Sequence, residues 1–150
     1  MTLYETIGNH LKEAMKSGDT LRRDTLRLLS SAVKNMAIEK RKAVTQCTDD
    51  EVEEVLRRLT KQRKDSIEQY RAGQREDLAE KEEAELHLLS AYLPQAMPEE
   101  ELTVLVRETL SEAGLTSKTQ MGQAMGLAMK QVAGRASGDD VRRIVETLLV

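Results

Sequence analysis

Proline occurs at two positions in 150 residues, Pro94 and Pro98, and long uninterrupted helices can form only where it is absent. Proline also pushes the residue before it out of the helical region, so the stretch from Pro94 to Met97 breaks a helix arriving from either side. The sequence therefore divides into residues 1–93 and 94–150. Leu, Met, Ala, Glu, Lys and Arg, the strong helix formers, dominate the chain, while Phe and Trp are absent and the aromatics are Tyr4, Tyr70 and Tyr92.

Apolar spacing follows the helical period and no strand period or internal repeat is visible. Thr2 with Glu5 has the capping-box spacing, and Leu3, Ile7, Leu11 and Met15 then share one face of a first helix that ends near Gly18. Asp19 or Thr20 starts a second helix running to about Lys42, with Leu21, Leu28, Ala32 and Met36 as its stripe and Leu26, Leu29 and Val33 widening it. Thr48 and Glu51 repeat the box ahead of a third helix from about Asp49 to Arg71, stopped by Ala72-Gly73. Leu78, Leu86, Leu89, Tyr92 and Leu93 mark a fourth. Beyond the prolines, Pro98 suits the first position of a fifth helix that ends at Gly114, a sixth spans about Thr119 to Ala133, and a seventh about Gly138 to Leu149. The expected fold is all-α, with a helical N-terminal domain of about four helices in 1–93 and a three-helix C-terminal domain in 94–150.

Charge excludes a globally basic nucleic-acid binder. Residues 1–93 carry 17 basic against 18 acidic side chains and 94–150 carry 6 against 8, which gives the whole-chain net charge of −3. Any contact with nucleic acid must come from a local patch. The single cysteine, Cys47, has no partner for an intramolecular disulfide, and the first residues turn polar too soon for a secretory signal, which points to the cytoplasm. No apolar run approaches the roughly 18 residues needed to span a bilayer, so no membrane role is expected.

The most specific local feature is the run from Met121 to Lys130, where Met121, Met125, Met129 and Ala128 form an apolar stripe beside Gly122 and Gly126. A glycine inside a helix costs about 1 kcal/mol relative to alanine, so a pair at i and i+4 implies close approach of another backbone or of a ligand. Tight helix packing is the plainer explanation; a partner or RNA backbone lying against the glycines is the sharper one. In Gly134-Arg135-Ala136-Ser137-Gly138, Gly134 can close the sixth helix in the left-handed conformation and Ser137 can cap the seventh. Lys118, Lys130, Arg135, Arg142 and Arg143 are candidate phosphate contacts, although a cation near a helix C-terminus also complements the helix dipole. The basic run Arg57, Arg58, Lys61, Arg63 and Lys64, with Arg22, Arg23, Arg27 and Lys40 to Lys42, is explained first as solvated faces paired with Asp65, Glu68 and the Glu80 to Glu85 run. The scarcity of aromatics argues against base stacking.

Catalytic constellations are missing. His10 and His87 are isolated, Cys47 falls in a polar loop, and no His-x-x-x-His or Cys-x-x-Cys spacing occurs, so neither a catalytic residue nor a metal or other cofactor is expected. The acidic runs Asp49 to Glu54 and Glu80 to Glu85 lack the alternating ligands and turn glycine of a calcium loop and suit helix surfaces.

Several ordered motifs resemble one family across almost the whole chain. They are Leu26-Arg27-Leu28-Leu29-Ser30-Ser31-Ala32-Val33-Lys34-Asn35, then Lys61-Gln62-Arg63-Lys64-Asp65-Ser66-Ile67-Glu68-Gln69-Tyr70, then Arg75-Glu76-Asp77-Leu78-Ala79 through Glu82-Glu83-Ala84-Glu85-Leu86 to Tyr92-Leu93-Pro94. In the second part they are Met121-Gly122, Met125-Gly126 and Gly134-Arg135-Ala136-Ser137-Gly138. The chain resembles the YqeY-like proteins, and its second part is similar to the tail of the GatB subunit of tRNA-dependent amidotransferases. Ser137 stands where that pattern has Asp or Asn, all good N-caps, and Gly138 replaces a helix-starting proline.

The resemblance implies a GatB/YqeY-type three-helix tail after a helical domain, and a partner that is tRNA or a tRNA-modifying enzyme complex. It also brings a carbon-nitrogen ligase label with glutamine as amido-N-donor, for which this chain lacks both the GatB catalytic cradle and an amidase Ser-Ser-Lys apparatus. The leading expectation is a non-catalytic tRNA-binding or tRNA-enzyme-associated module using Lys118, Gly122, Gly126, Lys130, Arg135, Arg142 and Arg143. The alternatives are a protein-protein adaptor docking on the Met/Gly face of helix six, and an accessory part of a glutamine-dependent amidotransferase.

Overall fold

Short polar side chains set where the helices begin, and the computed structural model, which describes residues 1–150, shows the bonds that do so. The Thr2 hydroxyl accepts from the Glu5 amide at 3.2 Å while the Glu5 carboxylate accepts from the Thr2 amide at 3.0 Å, which opens α1 (Leu3–Ser17). Asp19 caps α2 (Thr20–Glu39) by accepting from the Arg22 amide at 3.1 Å. Thr48 and Glu51 repeat the reciprocal pair at the head of α3 (Asp49–Ala72), and α4 spans Glu76–Ser90. Caps of this kind are worth about 1 kcal/mol each. The chain is all-α and divides into two compact units, Met1–Leu93 and Pro94–Val150.

In the first unit α1 packs on α2, α3 pairs with α4, and α2 also lies against both α3 and α4. Ile7, Leu26, Leu29, Val33, Val52, Leu56 and Leu89 are essentially inaccessible at its centre. The buried face of α2 is thus the Leu26, Leu29, Val33, Met36 set; Leu21 and Leu28, expected on its stripe, are 38% and 44% exposed. With leucine at 21, 26, 28 and 29, spacing alone does not choose between adjoining faces. Met15 likewise turns outward, and Ala14 takes the core position in its place. α2 stops at Glu39, short of Lys42. A 3-10 turn at Val44–Gln46 then carries Cys47 into the core at 4% exposure, so this thiol is buried rather than set in a polar loop.

Ion pairs bind the α3–α4 hairpin on its polar side. Arg63, itself mostly covered, meets Glu82 at 3.2 Å and Glu85 at 2.9 Å, while Arg71 meets Glu76 at 3.2 Å and Glu83 at 2.8 Å. Near the head of α3, Glu51 receives the ammonium groups of Lys40, at 2.8 Å, and Lys42. These two bonds, with the Thr48 amide, hold the Glu51 carboxyl far below the usual carboxylate range.

In the second unit Pro98 stands one residue ahead of α5 (Glu99–Ala113), whose first turn carries Glu99, Glu100 and Glu101 and which Gly114 closes at φ 69°. A 3-10 turn at Lys118–Gln120 leads into α6 (Met121–Val132), so the regular helix starts two residues later than Thr119. Ser137 caps α7 (Gly138–Leu148), accepting from the Asp140 amide at 3.1 Å. Leu102, Val106, Ala124, Ala128, Val132, Val141 and Val145 meet at the centre of the three helices. The C-terminal residue is tied down as well: the Val150 amide donates to the Thr116 carbonyl at 2.8 Å and its carbonyl accepts from the Lys118 amide at 3.1 Å.

The α3–α4 turn and the Glu51 cluster each generate a stability test. The turn puts Gly73 at φ −85°, which any residue adopts, and Gln74 at φ 59°, which favours glycine. A methyl group on Gly73 would meet the Gln69 carbonyl at 3.5 Å, an ordinary contact. Exchanging the roles in Gly73→Ala with Gln74→Gly should stabilise the protein by about 1 kcal/mol, read from thermal unfolding. Because folding lowers the Glu51 pKa, the stability it contributes is present above the ordinary Glu value of about 4.3 and is lost as pH falls toward the folded value. Glu51→Gln should therefore lower the melting temperature at pH 7, with the gap to wild type closing as pH is taken down from about 5 to 2.

Candidate functional site

α6 presents two unlike faces because its small residues fall on both. Ala124, Ala128 and Val132 are buried at four-residue spacing. On the opposite side Gly122, Gly126 and Lys130 are exposed at the same spacing, with Lys118 exposed in the turn before them. No atom of a neighbouring element lies within 4 Å of where a side chain on Gly122 or Gly126 would begin. This corrects the expectation of tight helix packing at the glycines: the neighbours are accommodated by Ala124 and Ala128, and the glycine strip faces open solvent. The methionines divide too. Met121 and Met125 are drawn against the core, and only Met129, 37% exposed, remains on the surface, so the Met/Gly docking face of the adaptor reading is reduced to one methionine.

The five candidate cations fall into two sets. Arg135 is committed inside its own unit: its Nε donates to the Gln95 carbonyl at 3.1 Å, its guanidinium reaches Glu101 at 3.5 Å, and its carbonyl accepts from the Met97 amide at 2.8 Å. Arg143 is paired with Glu99 at 2.6 Å and lies 3.8 Å from Asp140, and the Glu99 bond raises its pKa. Lys118, Lys130 and Arg142 are exposed and form no ion pair. Arg107, exposed on α5 and also outside any ion pair, escapes sequence reasoning, since a lone arginine in an amphipathic helix carries no motif signal. Lys118 stands in the 3-10 turn before α6 and Lys130 in the last turn of that helix, so most of the helix separates them. They line a strip and do not converge on a pocket.

The loop after α6 departs from expectation. Gly134 is left-handed at φ 80°, but Ala133 before it is left-handed too, at φ 51°, and it is Ala133 that caps the helix through its amide to the Met129 carbonyl at 3.2 Å. An alanine held there is strained by about 1 kcal/mol or more.

In the first unit the basic run is used internally only in part. Arg57 pairs with Glu53 at 3.2 Å, and Arg63 and Arg71 hold α4, whereas Arg58, Lys61 and Lys64 stay exposed. His10 is not isolated: its Nδ1 lies 2.6 Å from the Tyr92 hydroxyl, which ties α1 to the turn after α4. Burial raises the Tyr92 pKa and the Arg22 guanidinium opposes that shift. Thr6, His10, Arg22 and Tyr92 line a cleft of about 390 Å³. No group of three or more His, Cys, Asp or Glu side chains is arranged to hold a metal ion, and no helix is long and apolar enough to cross a membrane.

The profile of the family described as Yqey-like protein matches residues 4–149. The chain belongs to the YqeY-like family. Among its curated relatives are fungal proteins named altered inheritance of mitochondria protein 41, mitochondrial. The one from Pyrenophora tritici-repentis is 34% identical over 128 residues, covering 84% of this chain and 68% of the relative. The Lachancea thermotolerans protein is 33% identical over 135 residues, 88% of this chain and 69% of the relative. The Vanderwaltozyma polyspora protein is 41% identical over 93 residues, 60% of this chain, and the match spans only 49% of that relative. In this YqeY-like chain, the motifs Lys61 to Tyr70 and Glu82 to Leu86 supply the Arg63 ion pairs of the α3–α4 hairpin, and Gly134 to Gly138 supplies the α6–α7 turn.

Structural and free cations should separate by mutation. Arg135→Ala releases the Gln95 carbonyl and Glu101 and is expected to destabilise the protein by about 1 kcal/mol in thermal or urea unfolding. Lys130→Ala, with no partner to lose, should stay within about 0.5 kcal/mol of wild type.

Proposed function

We propose that this YqeY-like protein is a non-catalytic module that binds tRNA, or associates with an enzyme acting on tRNA, through the outer strip of α6. The observation carrying the reading is the open space beside Gly122 and Gly126 on the same side of the helix as the unpaired Lys130. A helix that gives up two side chains on its solvent face, each at a cost of about 1 kcal/mol relative to alanine, lets a sugar-phosphate backbone approach its own backbone closely. Lys118 and Lys130 at the two ends of the strip supply the charge, and Arg142, exposed and unpaired on α7, adds a third free cation to the unit.

The similarity of the second unit to the tail of GatB, which touches tRNA, supports the same ligand. Contacts of this kind fix position and carry no base specificity. The working compartment we assign is the cytoplasm, on the unpaired Cys47 thiol; the fungal relatives are named as mitochondrial proteins, and that placement is theirs.

The test is a fluorescence anisotropy titration of the full chain with total tRNA at several salt concentrations. Binding should weaken as salt rises. The triple variant Lys118→Ala, Lys130→Ala, Arg142→Ala should bind at least about 10-fold more weakly, with the salt slope reduced by about 1 per cation removed. Absence of binding at low salt, or a triple variant that binds like wild type, would sink the reading.

A further inference from the structure

A second surface of the C-terminal unit has the opposite character. Glu100, Val104 and Glu108 follow one another at four-residue spacing along one face of α5, with Leu105 beside them. The end of α6 and the turn after it form the facing wall through Val132 and Ala133, and Met97 closes one end. Together they enclose an open trough of about 590 Å³. Val104 is 47% exposed at its centre, an aliphatic side chain left in water although α5 has a complete buried stripe in Leu102, Val106 and Leu110. Glu100 and Glu108 form no ion pair, and Glu101 is the one rim carboxylate that is neutralised, by Arg135. The trough therefore has an apolar floor with a free negative charge at each end, eight residues or about 12 Å apart along the helix.

We propose that this trough is a docking site for a basic amphipathic segment of a partner protein, one that lays two turns of apolar side chains on Val104, Leu105 and Met97 and sets a Lys or Arg against Glu100 and another against Glu108. The charge pattern selects this occupant. Carboxylates at both ends repel nucleic acid and anionic lipid headgroups, and they favour a cation at each end of an apolar stretch. A linear trough two helical turns long fits a peptide that repeats its apolar residues every turn. This site is independent of the α6 strip: its floor is aliphatic and its rim acidic, and it uses none of Lys118, Lys130 or Arg142.

The experiment titrates the full chain into a fluorescein-labelled helical peptide of about 14 residues, roughly 21 Å long, built from Ala, two Leu four residues apart and flanking Lys. One twin replaces each Lys by Glu and another replaces each Leu by Ser. Saturable binding is expected for the Lys/Leu peptide, with both twins at least about 10-fold weaker, a loss of about 1.4 kcal/mol. Glu100→Gln with Glu108→Gln, and separately the surface change Val104→Ser, should each weaken binding several-fold. Glu54→Gln with Glu80→Gln, which removes the same charge from exposed, unpaired positions of the other unit, should leave it unchanged. The proposal is overturned if the Lys/Leu peptide does not bind, if either twin binds as tightly, if the Glu54/Glu80 variant weakens binding as much as the Glu100/Glu108 variant, or if sedimentation shows that a second copy of the chain occupies the trough and is displaced by the Val104 change.

Discussion

The smallness of the aliphatic core in the C-terminal unit governs much of what its surface can do. Residues 94–150 gather their core from Leu, Val, Ile and Ala alone, with alanine at two of the three fully covered positions of α6. A unit of this size buries about 60% of the surface its unfolded chain exposes and has little stability to spare. Polar ties outside the core therefore matter more than they would in a larger domain. Arg135 fastens the segment after Pro94 to the α6–α7 turn, Arg143 fastens α7 to the start of α5, and the Val150 backbone fastens the chain end to the turn before α6. Two of the six cations in this unit are spent in this way, and what remains free is the set that an external ligand can meet.

The helix boundaries were most legible in the sequence where one residue type has one physical use. Thr2 with Glu5 and Thr48 with Glu51 form the reciprocal caps their spacing predicts, and Gly18 and Gly114 take the left-handed conformation at helix ends. Legibility was poorest where several residues could do the same job. Leucines at 21, 26, 28 and 29 allow more than one buried face for α2, and packing against α3 and α4 selects 26 and 29. The left-handed positions Gln74 and Ala133 sit beside Gly73 and Gly134, so glycine marks the neighbourhood of the turn but not always the residue that bears its strain.

The site was only partly legible for a related reason. The spacing of Gly122 and Gly126 announces an unusual face, but the sequence does not say whether a neighbouring helix or solvent lies against it, because Ala124 and Ala128 serve helix packing equally well. Nor does it say which cations are free. Arg135 meets Glu101 across 34 positions and Arg143 meets Glu99 across 44, pairings that exist only once three helices have packed. His10 and Tyr92, 82 positions apart, are a further case.

Net charge is accordingly a poor guide to this chain's surface. The second unit has two more acidic than basic residues, 8 against 6, yet the charges are sorted. Glu99 to Glu101 cluster at the start of α5, where the helix dipole favours them, and two of the three draw in Arg143 and Arg135. That commits both arginines to ion pairs and leaves Glu100 and Glu108 unpaired on α5, while Lys118 in the turn before α6 and Lys130 on it also stay unpaired. The placement that stabilises one helix start thus also decides which arginines and which carboxylates of the unit stay free for a ligand.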